Sequence, residues 1–124
     1  MKDLADIARR YKPHGVKVRW RRKGLYPAYA WFDRKMIYAP RPDTREGLFV
    51  YLHECAHFHL KHWHVDIPLA RQEYEAEQWA ISTMRREGLA VPRSMLAEAK
   101  TYVSECIKAD GGKIERHVRR FAKP

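Results

Sequence analysis

The stretch YLHECAHFHLKHWH, residues 51–64, holds five histidines in fourteen positions. Two of them, His53 and His57, stand four residues apart, and Phe49, Leu52, Ala56 and Leu60 recur at helical spacing around them. On a helix, positions i and i+4 share a face about one turn apart. Two imidazoles are thus set into an apolar stripe, where an unpartnered polar group is costly to bury. A second element must press a partner for them against this face. That requirement constrains the fold more than any other feature of the chain.

The flanking sequence supplies the elements. Residues 2–12 read as a short amphipathic helix with Leu4, Ile7 and Ala8 on one side, broken by KPHG. VKVRWR (16–21) alternates, Val16, Val18 and Trp20 against Lys17, Arg19 and Arg21, which predicts a half-exposed strand. PAYAWFD (27–33) and KMIYAP (35–40) read as two more strands, joined by a tight turn near Asp33 and Arg34. A small antiparallel sheet is expected, with the strand ending in Pro40 at its edge, where proline is tolerated. PDTRE predicts the start of the histidine helix, with Asp43 as N-cap and Glu46 as its capping-box partner. That helix should run to about Trp63. Pro68 opens a second long helix that Gly88 closes. Pro92 opens a third, ending near DGG (110–112), and KIERHVRRF forms a last basic helix. The expected class is α+β, one domain over residues 1–124.

HECAH is an HExxH pattern. Both imidazoles can reach one metal ion, with Glu54 beside them as general base for a water at that ion. His59 and His62 lie off the shared face. His64, seven residues beyond His57 on a continuous helix, is a rise of about 10 Å away. All three read as surface or supporting polar residues. The third ligand is expected from the next helix, in RQEYEAEQWA (71–80). Its inward stripe reads Leu69, Glu73, Ala76, Ala80 and Met84, and Glu73 is an acid on an apolar face, costly unless paired or metal-bound. Ala76 leaves room for the facing helix. Glu77 can hydrogen-bond a ligating histidine from outside, and Glu75 points elsewhere. Two histidines, one carboxylate and an open position describe a catalytic zinc site. Cys55 and Cys106 read as core residues, the latter in a stripe with Met95, Ala99 and Tyr102. Oxyanion stabilisation could come from His62, His64, Tyr74 or Arg71.

HECAH followed by EYEAEQWA resembles the glutamate-zincin metallopeptidases, over about residues 44–88. The second motif is similar to E-[FY]-x-A-[DN]-x-[FW]-A of the HtpX/CAAX-prenyl-protease group and to ExEA[ND]xFA of the ImmA/IrrE family. The resemblance implies His53, His57 and Glu73 as Zn2+ ligands, Glu54 as catalytic base and a minimal zincin-like domain. On the soluble ImmA/IrrE side it also implies a protein or peptide substrate, often a DNA-bound regulator. Glu77 stands where the family carries Asp or Asn, and no helix-turn-helix accompanies the motif.

Charge opens the rival readings. The net charge is +10. Residues 1–42 carry 12 basic and 3 acidic side chains, residues 43–89 carry 5 and 8, and residues 90–124 carry 8 and 4. An acidic middle thus lies between basic flanks, which could attract nucleic acid or an acidic protein or be simply solvated. RWRRK (Arg19, Trp20, Arg21, Arg22, Lys23) interleaves an aromatic with cations, as nucleic-acid contact requires. One rival is therefore a basic binding module with a structural or vestigial metal site, and the other is a metal hydrolase acting on something other than peptides. No apolar run is long enough to span a bilayer, and two isolated cysteines suit a cytoplasmic setting.

Overall fold

A computed structural model describes residues 3–21 and 28–123. Arg22 and Lys23, and Pro27 at the start of the expected second strand, lie outside the described residues. The class is α+β: α1 (Leu4–Tyr11), β1 (Lys17–Arg21), β2 (Tyr29–Trp31), β3 (Met36–Pro40), α2 (Arg45–His59), α3 (Leu69–Arg86), α4 (Arg93–Ala109) and α5 (Arg116–Ala122).

The sheet is mixed rather than antiparallel. Its order is β1-β3-β2, with β1 parallel to β3 and β2 antiparallel to it. The strand ending in Pro40 is therefore central, and β2 takes the edge beside it. Proline is accommodated because Pro40 is the last residue of β3, beyond the reach of β2, whose pairing stops at Tyr38. The turn over residues 32–35 is where the sequence places it, closed by Lys35 N–H donating to Phe32 O at 3.0 Å.

The pleat sorts the strands into two faces. Val18, Ile37 and Ala30 form one row across the sheet, with Trp20 and Ala39 beside them. This face meets α2; Ile37 and Ala39 are fully buried, and the Trp20 ring lies 5.0 Å from that of Tyr51. Trp20 is thus a packing residue, which corrects its reading as a nucleic-acid contact: a strand sends alternate residues to opposite faces, so Trp20 does not share a surface with Arg19 and Arg21.

α2 is buried almost all round, between the sheet on one side and α1 and α3 on the others. Its N-cap is Thr44, whose hydroxyl accepts from Gly47 N–H at 3.0 Å, rather than Asp43. It ends at His59, not Trp63. Lys61 takes a left-handed conformation (φ 55°), Lys61 N–H donates to Phe58 O, and His62 N–H donates to His57 O. This is a Schellman closure with lysine where glycine is usual, so nothing in the composition announces it. On α3, Ala70, Ala76 and Ala80 have no exposed surface, which lets the two helices approach closely. Leu69 departs from the expected inward stripe: at the first turn of α3 it is 48% exposed. α4 packs on α3, and α5 on α4.

Candidate metal centre

α2 and α3 bring four ionisable groups together between them. His53, Glu54, His57 and Glu73 are each no more than 8% exposed. The Nε2 atoms of His53 and His57 lie 3.2 Å apart. Glu73 Oε2 is 2.9 Å from His57 Nε2, and Glu73 Oε1 is 3.6 Å from His53 Nε2. Ligands held at 2.0–2.1 Å around a tetrahedral ion are about 3.3 Å from one another. The three separations bracket that value. His53, Glu54 and His57 also offer ligand atoms within 4.8 Å of one another, a grouping that could hold a metal ion.

The protons support the same fit. Glu73 Oε2 is buried and accepts no aligned hydrogen bond, although an imidazole nitrogen stands beside it. A carboxylate whose two oxygens each face an imidazole nitrogen, one of them without an aligned donor, is a set of acceptors that a cation satisfies and a proton satisfies poorly. Behind the two imidazoles stand further polar groups. His53 Nδ1 lies against Glu77 Oε1, without an aligned hydrogen bond. His57 Nδ1 is 2.8 Å from His62 Nδ1, and His62 Nε2 is 3.0 Å from Glu75 Oε1. With Nε2 of His57 turned to a metal, its Nδ1–H donates to His62, whose Nε2–H donates to Glu75. Imidazole ligands are oriented in this way by carboxylates behind them.

Burial opposes charge on His53, but contacts with Glu73 and Glu77 and the negative charge of Glu77 and Glu54 outweigh it, so its pKa is held well above the ordinary imidazole value. Burial likewise opposes charge on Glu73, and the two imidazoles outweigh it, holding that carboxyl well below the usual range. Glu54 is pushed up, chiefly by burial. A carboxylate with a raised pKa accepts a proton more readily, which suits a general base.

Of the other expected site residues, Glu77 and His62 reach the cluster, while His64, Tyr74 and Arg71 stand outside the cleft. His64 is exposed. Tyr74 packs edge-on against His117 and Phe121. Arg71 pairs with Glu75 and Glu115. His62 arrives because α2 closes early, and Glu75, expected to point away, supports it. His59 ties helices together, donating to Tyr11 O at 2.7 Å and stacking on Trp79. Both thiols are buried, burial pushes Cys55 up to about 12 and Cys106 up to about 11, and neither belongs to the side-chain grouping that could hold a metal ion.

Tyr102 was expected in the core stripe of Cys106, yet it is 44% exposed and lines the site. Partial burial, then the charge of Glu73, raises its pKa, so the hydroxyl keeps its proton as a donor. Its sequence signal was the same periodicity that placed Cys106 inside; a tyrosine at the rim of a stripe cannot be told from one within it. A cleft of about 410 Å³ opens over His53, Glu54, His57 and Glu73, bounded by Tyr29, Phe32, Leu69 and Tyr102. A second, of about 300 Å³, continues past Phe49, Met95 and Ala99. The two share Ala28, His53, Glu54 and Tyr102 in their linings, so Glu54 borders both.

Comparisons with protein-family models, with curated proteins and with solved structures found no match.

Proposed function

We propose that this chain is a zinc-dependent metallopeptidase. The observation that carries the reading is the convergence of His53 Nε2, His57 Nε2 and Glu73 at tetrahedral-edge separations, with Glu54 beside them at the floor of a groove. Two histidines and one carboxylate favour zinc among the divalent ions and leave a coordination position open. Zinc held there would supply Lewis acidity, polarising a carbonyl and acidifying a water.

The protein's own groups would do the rest. Glu54 takes the proton of the attacking water and later delivers it to the leaving amine. Glu77, and His62 with Glu75 behind it, hold the two imidazoles in the required tautomer. The Tyr102 hydroxyl is the donor best placed to meet negative charge developing on the substrate oxygen. Glu54 borders both clefts, so an extended chain spanning the two would pass it. β2 borders it through Tyr29 and Ala30 and pairs, among the described residues, with β3 alone. Its outer edge offers backbone groups to a substrate strand. No described helix is long and apolar enough to cross a membrane. Two free, buried thiols suit a reducing compartment such as the cytoplasm.

The test is zinc-loaded protein incubated with denatured, fluorescently labelled casein. Cleavage should appear, with new amino termini, and should fall at least a hundredfold in Glu54→Gln while zinc stays bound. Equal cleavage by the variant would remove Glu54 from the mechanism. Bound zinc with no cleavage of unfolded chains would favour a metal-stabilised module or another hydrolase.

A further inference from the structure

The sheet face turned away from α2 is not an ordinary polar surface. Register places Arg19, Tyr38 and Tyr29 in one row across the three strands and Lys17, Met36 and Trp31 in the next. Arg21 and Pro40 complete the face. These eight positions include three cations and three aromatics, and no acid. Tyr29 and Trp31 are 37% and 39% exposed. Their rings are 6.4 Å apart, and Tyr29 stacks on Tyr38 at 4.8 Å. The Arg19 guanidinium lies over the Tyr38 ring and donates to its hydroxyl at 2.9 Å. From the adjoining turn, Arg34 sits 4.8 Å above the Trp31 ring.

We infer that this face binds single-stranded nucleic acid. Exposed rings on a flat sheet are platforms for unstacked bases, and every base has a π-face to offer. Cations at the ends of the rows meet phosphates and release counterions. The charge is complementary on the larger scale too, since residues 1–42 carry 12 basic against 3 acidic side chains. A duplex keeps its bases stacked and would use the cations alone. An acidic peptide would do the same and gain little from the rings. The inference does not depend on the metal centre: Tyr29 also borders that cleft, but Trp31, Arg19 and Arg34 do not line it.

The probe is a fluorescently labelled oligothymidylate of about 12 nucleotides, within the span such platforms cover. Its anisotropy is read at low and at near-physiological salt, beside a duplex of equal length and polyglutamate as competitor. The single strand should bind more tightly than the duplex. Trp31→Leu, which keeps apolar bulk, should weaken it roughly tenfold or more, and Trp31→Phe should restore most of the loss. Arg19→Gln should lower the salt slope by about 0.7. An unchanged circular-dichroism spectrum and thermal midpoint in each variant show that it is folded. Absence of binding at low salt overturns the inference. So does equal affinity for duplex, indifference to Trp31→Leu, or displacement by polyglutamate as effective as by unlabelled oligonucleotide.

Discussion

Glu73 is a carboxylate at a position where packing alone would favour leucine, and His53 is an imidazole at another. Each is tolerated because it faces the other. Their shifts fix the pH behaviour of the metal-free protein. The depressed Glu73 contributes stability that is present above the ordinary carboxylate pKa and lost as pH falls through its lowered value. The raised His53 contributes stability that is fully present below the ordinary imidazole pKa and lost as pH rises through its elevated value. Metal-free protein should therefore be most stable in the weakly acidic to neutral range, its thermal midpoint falling on both sides. A midpoint that climbs steadily into alkali would contradict the assignment. Zinc bound at the proposed site should reverse the alkaline limb. His53 must lose its proton to ligate, so affinity in a competition titration should rise roughly tenfold per pH unit for each proton released. At this scale the sequence was informative wherever spacing controls outcome. HExxH put His53, Glu54 and His57 on one helix face, and the acid on an apolar stripe singled out Glu73. His62 and Tyr102 were harder to read. One depends on where a helix stops, and the other on which side of a stripe meets open space.

Elements were legible where local chemistry writes them and not where pairing decides. Pro68, Gly88 and Pro92 mark real helix boundaries, and alternation in VKVRWR is a real strand. Which strand is central follows from long-range pairing, which alternation does not encode, so β3 and β2 exchange the expected places. The start of α2 has a similar lesson: Thr44 caps it, one residue past Asp43, because the hydroxyl reaches Gly47 N–H. Gly47 is needed for a further reason. A Cβ there would meet Arg41 O at 2.5 Å, a backbone atom that cannot swing aside. Gly47→Ala should thus destabilise by about 1–3 kcal/mol despite alanine's better helix propensity, the cost of overpacking exceeding that gain. Denaturant unfolding would measure it. An unchanged or raised midpoint would mean that α2 can shift without strain, and that its N-terminal anchor does not fix the height of the histidines.

For the molecule as a whole, two candidate surfaces emerge from one small sheet and the helix behind it. The inner face of the sheet seats α2, α2 presents its histidines to α3, and the glutamate of α3 closes the cluster. The outer face carries rings and cations that the core does not need. Charge follows the same division, with the acidic middle of the chain building the metal centre and the basic first third building most of the sheet. Composition showed that division without showing its geometry, since the consecutive Arg19, Trp20 and Arg21 split between the two faces of the sheet. The central claim is that helices α2 and α3 together make one zinc site. Elemental analysis of purified protein offered zinc, run beside Glu73→Ala, tests it most directly. About one zinc per chain is expected, with affinity reduced tenfold or more in the variant. A wild-type chain that takes up no zinc, or a variant that holds it as tightly, would contradict the two-helix site.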